Sequence, residues 1–319
     1  MSYRLSLADA PAASIRACAR EQLNGAVREL ESPGDDPAKA IHQARKHLKK
    51  TRALLRLVRP ALGERAYRAE NDALRDAAAK LSATRDADVL VATVDALAAA
   101  AVGRLPASDL DALRAALVAE AAAARAHAPV DGAAPTDAPA GDGATAVAAA
   151  VAQELRDIHA RVDSWPLDDS DWETVVAGIS RAYARGRDAR ALAEADPTVE
   201  HLHDWRKRVK DLWYHHRLLK PVWPAVFDAC AEEAHVLSEQ LGDDHDLAVL
   251  RARLEQGIDG LAVDLDPLLA VVEERRGALQ AQARQLAARL YAEKPKAFER
   301  RVTTCVEAAV AETGAAAGA

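Results

Sequence analysis

Apolar residues recur three and four positions apart through almost the whole chain, as in Leu74, Ala77, Ala78, Leu81 and again in Leu110, Leu113, Leu117. That spacing keeps them on one face of an α-helix, and no convincing run shows the two-residue alternation of a half-buried strand. The pattern predicts an all-α protein. Alanine fills many of the apolar positions, and its high helix propensity and small volume suit long helices that approach closely, as in bundles. The periodicity breaks between His127 and Thr145, where Pro129, Gly132, Pro135, Pro139, Gly141 and Gly143 stand among alanines and aspartates. Such a composition reads as a flexible linker. The predicted organisation is a first helical half over 1–127, a linker over 128–145, a second half over 146–313 and a frayed tail over 314–319.

The two halves contain the same segment. Ile41 to Pro60 matches Leu202 to Pro221 without a gap, 161 residues on: His42, Arg45, Lys46, Lys49, Arg56 and Pro60 fall on His203, Arg206, Lys207, Lys210, Arg217 and Pro221. Five of these six identities are polar or charged at helical spacing, which scattered apolar matches would not give. Downstream, Leu81, Asp86, Val89 and Leu90 meet Leu241, Asp246, Val249 and Leu250; upstream, Arg16 and Arg20 meet Arg181 and Arg185. Each half thus repeats an Arg-bearing helix, a basic helix ended by proline and a helix with an Asp near a turn. Duplication is the economical explanation, and it predicts two similar bundles related by approximate two-fold symmetry.

Placed at about 100° per residue, His42, Arg45, Lys46, Lys49, Arg52 and Arg56 form one stripe, with Ala44, Leu48, Thr51, Leu55 and Val58 opposite. From His42 to Arg59 there are seven Lys and Arg and no acid. In the second copy His203, Arg206, Lys207, Lys210, Tyr214 and Arg217 form the matching stripe, Trp213 stands in the place of Arg52, and Asp204 and Asp211 lie off it. Like charges at helical spacing repel by a few tenths of a kcal/mol per pair, so keeping the array twice points to an anion that relieves it. Arg16, Arg20, Arg181, Arg185 and Arg187 are secondary candidates for extending the cationic wall, with Tyr183 as a hydroxyl donor. Asp35 and Asp36, and Asp196 and Thr198, read as N-terminal caps of the two basic helices. Arg85 with Asp86, and His245 with Asp246, read as structural pairs or caps near turns rather than ligand contacts.

Charge sharpens this picture. The net charge is −7, from 42 Lys and Arg against 49 Asp and Glu, so the molecule has no overall attraction for polyanions and an anion site must be local. Half the residues are hydrophobic and only 4% aromatic, a globular composition that excludes disordered and collagen-like classes. No segment reaches the roughly 20 apolar residues of a bilayer span, and Met1 to Ala10 has no export-signal pattern, so a soluble cytoplasmic protein is expected. Cys18, Cys230 and Cys305 are too far apart for a C-x-x-C motif, which fits a reducing compartment.

The pattern H-x-x-R-K-x-x-K-x-x-x-x-x-x-R-x-x-x-P, present twice, together with L-S-A-T-R-D-A-D-V-L at 81–90 and L-G-D-D-H-D-L-A-V-L at 241–250, resembles the CHAD family. The resemblance covers nearly the whole chain apart from the linker and tail. It implies two four-helix bundles about a pseudo-two-fold axis, whose basic helix faces line a central groove or pore that binds inorganic polyphosphate. It also implies association with polyphosphate granules. The strand-rich triphosphate-hydrolysing domain that accompanies some members has no counterpart here. Physical chemistry points the same way: a linear polyanion needs a row of cations, and successive helical turns, about 5.4 Å apart, provide one. Arg offers bidentate forks to phosphate oxygens, Lys a mobile point charge, and His42 and His203 a hydrogen bond.

Three other chemistries compete with this row of cations. His201 with His203, His215 with His216, and the run Asp243 to Asp246 are candidate metal ligands, but none has H-E-x-x-H spacing and the surrounding cations would repel a divalent ion. No dedicated metal or cofactor is expected, although divalent cations can arrive with polyphosphate. A phosphohydrolase or kinase would need a Walker loop or carboxylates facing the cations, and the stripes contain neither, so binding without catalysis is the expectation. Nucleic acid is not the expected partner, because base-stacking aromatics are confined to Trp213 and Tyr214.

Overall fold

The computed structural model describes residues 3–81, 86–101, 103–126, 142–168 and 171–317. They are helical almost throughout, without strands among the described residues. In chain order the helices are α1 (Pro11–Glu31), α2 (Pro37–Leu57), α3 (Arg59–Lys80), α4 (Asp86–Ala100), α5 (Ala107–Ala126), α6 (Asp142–Arg161), α7 (Trp172–Ala195), α8 (Val199–Leu218), α9 (Pro224–Gln256), α10 (Leu265–Leu290) and α11 (Pro295–Ala317). The all-α expectation from apolar spacing is what the chain adopts.

The two basic segments become α2 and α8, and local chemistry sets their ends. Asp36 accepts a hydrogen bond from the Lys39 backbone N–H at 2.9 Å, and Pro37 opens the first turn of α2. Thr198 caps α8 through the His201 N–H at 3.2 Å. Caps of this kind contribute about 1 kcal/mol each. Pro60 and Pro221 act differently from the expected stops. α2 has already ended at Leu57 when Pro60 enters the first turn of α3, and Pro221 lies in the short 3-10 turn Lys220–Val222 after α8. Proline is tolerated in a first turn because its missing N–H has no intrahelical partner there.

Packing follows the apolar faces. α1 lies on α2 and α6, α2 and α6 both contact α3, α7 and α9 flank α8, and α11 covers α7. α2 also touches α7 and α8, which places the two basic helices side by side. The largest core draws on all of these helices, from Ile15 and Leu23 through Leu48, Leu54 and Trp205 to Phe298 and Val302. A second core, with Val94, Leu97, Leu113, Leu117, Leu250 and Val272, joins α4 and α5 to the C-terminal part of α9 and the N-terminal part of α10. Along α9, Asp244 falls between the residues of these two cores. It is 1% exposed and accepts from Arg276 Nε at 3.1 Å and Gln280 Nε2 at 2.9 Å.

Several features differ from the sequence expectation. The predicted linker over 128–145 lies largely outside the described residues, but its end from Asp142 already belongs to α6. α6 packs on α1 and α3, so a helix that follows the linker joins helices that precede it. α11 continues to Ala317 and takes in most of the segment read as a tail. His245 and Asp246 lie inside the 33-residue α9 rather than near a turn, whereas Asp86, the match of Asp246 in the first copy, is the first residue of α4. Arg85 lies outside the described residues.

Candidate functional site

α2 turns Ala44, Leu48, Thr51, Leu54 and Leu55 into the core, and α8 does the same with Leu202, Trp205, Val209 and Leu212. Their cations are left at the margins, and there the two copies meet. Lys50 of α2 and Arg217 of α8 converge over one ring, Tyr3. Lys50 Nζ is 5.8 Å and Arg217 Cζ 5.7 Å from its centroid. Burial lowers the Lys50 pKa, and the Arg217 charge lowers it further. Tyr3 stands edge-on to Tyr214, with centroids 5.9 Å apart, and its hydroxyl donates to the Lys50 carbonyl at 2.8 Å. Leu5 N–H bonds the Leu218 carbonyl at 2.9 Å, so the segment before α1 is stitched onto both basic helices.

A second group of cations surrounds Asp211. Arg56 Nε donates to Asp211 Oδ1 at 2.7 Å, and Arg52 Nε donates to Asn71 Oδ1 of α3 at 3.1 Å. The Arg52 pKa is lowered by burial and then by the neighbouring Arg56 charge. On α7, Arg185 is depressed in the same way, by burial and then by Arg208 of α8. Arg208 itself is held by Asp204 at 3.1 Å. Two of these are carboxylates that the helical projection placed off the stripe. Asp211 enters the cationic cluster because α8 presents that side to α2.

A third group lies on α8 and α9. His203 meets His245 in a tilted ring contact, with ring centroids 4.4 Å apart and planes 31° apart, while the Arg206 guanidinium lies against Gly242. Burial, the His245 charge and then Lys207 and Arg206 push the His203 pKa down to about 4. In the first copy Arg45 reaches the Ala78 carbonyl of α3 at 3.4 Å. His42, Lys46 and Lys49 lie along the same helix, Lys46 and Lys49 exposed and His42 half-buried, and Lys210 is half-buried on α8. Tyr214 is buried, and burial raises its pKa to about 12.

Most of the secondary candidates have structural duties. Arg16 donates to the Trp165 carbonyl and to Asp168, both at 2.7 Å, and Arg20 pairs with Asp163. Arg187 bonds the Tyr291 carbonyl at 3.1 Å and also the Glu293 carbonyl. Tyr183 is buried, stacks on Phe298 at 3.9 Å and donates to the Glu293 carbonyl at 3.0 Å, so its hydroxyl is committed to the fold. Arg181 is half-buried on α7. Arg185 stands among the site cations, as described above.

Tyr3, Lys50, Asn71, Arg208 and Asp211 are the site residues that the stripe missed. Lys50 was visible in the run of seven cations, but a single-stripe projection discards it. A helix with neighbours on several sides exposes more than one margin, and that is tertiary information. Among the described residues no group of three or more His, Cys, Asp or Glu is placed to hold a metal ion. Nor, among them, is any helix long and apolar enough to cross a membrane.

Residues 17–255 match the CHAD domain family. No curated protein matches the chain. Among solved structures, the crystal structure of the CHAD domain from the plant Ricinus communis superposes with a TM-score of 0.52, at 20% sequence identity, over 92% of this chain and 95% of that one. At that identity the likeness concerns the fold. The fold match agrees with the sequence match over three quarters of the chain, and with the twice-repeated basic helix: this protein belongs to the CHAD family, a family associated with polyphosphate binding.

Proposed function

We propose that this protein binds inorganic polyphosphate without acting on it, through the cations that α2 and α8 hold side by side. In this reading α1, α2, α3 and α6 form one four-helix bundle and α7, α8, α9 and α11 its approximate two-fold mate. The basic faces of α2 and α8 line the groove between them. The observation that carries the reading is the meeting of Lys50 with Arg217 over Tyr3, because it joins the cations of both sequence copies. Half-buried like charges repel, and a chain of phosphates would neutralise several of them at once. Binding in the cytoplasm, at polyphosphate granules, is the setting this chemistry suits.

Calorimetric titration with long-chain polyphosphate, with orthophosphate and tripolyphosphate in parallel, tests the proposal. Tight binding of the long chain alone is expected, and equal affinity for orthophosphate would replace the groove with a compact pocket. Incubation with polyphosphate and Mg²⁺ or Mn²⁺ should release no orthophosphate; release would make the protein a hydrolase. One observation favours a second reading. Trp213 is half-exposed and stacks parallel to His235 at 4.3 Å, with Arg217 5.6 Å from the Trp213 ring. Aromatic and cationic groups in that combination suit nucleic-acid bases and phosphates. Competition by single-stranded DNA at equal phosphate concentration separates the two, and polyphosphate should win.

A further inference from the structure

His245 has no identical partner in the first copy. The alignment that pairs Asp86 with Asp246 pairs Arg85 with His245, so the second copy carries a titratable ring where the first carries a permanent charge. That ring lies in tilted contact with His203, the histidine at the head of the second basic stripe. The Nδ1 atoms of both rings are buried without a hydrogen-bond partner. Ring nitrogens without a partner at the edge of a cationic track leave hydrogen-bonding capacity that no other protein atom uses.

The charges acting on the pair come from three helices. α8 contributes Arg206, Lys207 and Asp204, and α9 contributes Asp244 and Asp246. From α10, Arg276 neutralises Asp244 at 3.1 Å, and Arg275 acts on the neighbouring Asp243. Burial and then the neighbouring charges, Arg206 and Lys207 among them, lower the pKa of both rings and so favour their neutral forms. A bound polyanion reverses this balance, because its charge offsets Arg206 and Lys207 and favours an imidazolium. Rings 4.4 Å apart repel each other when both are charged, so the pair accommodates one proton and not two.

Building on the polyphosphate reading, we infer that His203 and His245 form a phosphate subsite that fills together with one proton, taken from solvent. The neutral pair is a weak anion partner beside Arg206 and Lys207, and the singly protonated pair is a strong one. Polyphosphate affinity then rises as pH falls through the range in which the bound pair titrates.

The test is calorimetry of the full chain with long-chain polyphosphate, in which titratable terminal phosphates are few. At pH 6.5, one sulfonate buffer of low ionisation enthalpy is compared with an amine buffer of high ionisation enthalpy. The difference should report uptake of about one proton, with affinity rising about tenfold between pH 8 and pH 6. His203→Gln with His245→Gln should remove both effects. His245→Arg should remove the uptake while binding at pH 8 becomes tighter than in the natural protein, and it keeps the inference testable if the double variant loses helicity. Binding without proton uptake, or uptake retained in the variants, overturns the inference and leaves the polyphosphate reading standing. Absence of binding at every pH overturns both.

Discussion

Arg56 of α2 donates to Asp211 of α8 across the interface between the two basic helices, at 2.7 Å, with side chains 24% and 11% exposed. The carboxylate also acts on Arg52 and Arg185, so it is the anion at the centre of a cationic cluster. Asp211→Asn preserves shape and removes the charge. Because the pair is neither fully buried nor fully exposed, the expected loss of stability is roughly 1–3 kcal/mol, measured by denaturant unfolding. Affinity for polyphosphate should rise several-fold, since ligand phosphates would no longer compete with Asp211 for Arg56. Weaker binding in calorimetry would instead mean that Asp211 orients Arg56 toward the ligand.

Lys49 and Lys210 occupy matched positions of the two copies. Reversing both, as Lys49→Glu with Lys210→Glu, should abolish polyphosphate binding while circular dichroism shows unchanged helicity; retained affinity would refute the assignment of these faces. Lys50→Gln should weaken binding by a smaller factor, because it removes one charge from the Tyr3 junction. In the unmodified protein affinity should fall steeply with salt. By analogy with nucleic acid, contact with six phosphates implies a loss on the order of a thousandfold between about 50 and 200 mM. A flat response would point to a compact anion pocket.

The legible part of this structure is periodic or local. Apolar spacing gave the helices, and a Ser, Thr or Asp cap is a short-range signal, so the α2 and α8 boundaries near Asp36 and Thr198 could be read directly. The repeated cations were equally visible, since they share one helix each. What a projection of isolated helices cannot contain is the side each helix turns to a neighbour. Asp211 lies off the stripe of α8 and yet bonds Arg56, because α2 packs on that side. Tyr183 looks like an available hydroxyl until α11 brings Phe298 onto its ring. The segment before α1 has no periodicity to signal that Tyr3 will sit between two basic helices. The matched motifs place His245 near a turn, but α9 runs on without a break, which sets that residue on a helix face beside His203.

Two buried histidines of α8 make its packing acid-sensitive, one against α2 and the other against α9 and α11. His215 Nε2 donates to the Ala53 carbonyl at 2.9 Å, and its neighbour His216 is packed among Phe227 and Phe298. Burial lowers the first to about 4 and the second to about 3. The unfolded chain binds a proton at each near pH 6.5, so it carries more protons than the folded one below that pH. Stability is therefore full above pH 6.5 and declines as pH falls toward 4 and then 3, by a few kcal/mol in total order of magnitude. Denaturant midpoints measured from pH 8 to pH 4 should show this decline. His216→Phe should make it shallower, leaving the His215 contribution, and an unchanged slope in that variant would assign the acid sensitivity to other groups.

Two glycines separate ligand positioning from helix packing. At Gly242 of α9 an added Cβ would come within 2.6 Å of Arg206 Nη2, the end of a long side chain that can move. Gly242→Ala should leave stability within about 1 kcal/mol of the natural protein, because alanine favours helix by a similar amount. It should still lower polyphosphate affinity several-fold by displacing the guanidinium. At Gly178 of α7 the added Cβ would overlap the Leu57 carbonyl oxygen at the end of α2, which is backbone and cannot yield without moving the helix. Gly178→Ala should cost about 2–3 kcal/mol by overpacking, read as a lower thermal midpoint. If Gly242→Ala binds as tightly as the natural protein, Arg206 is a packing residue and the cationic track ends before α9.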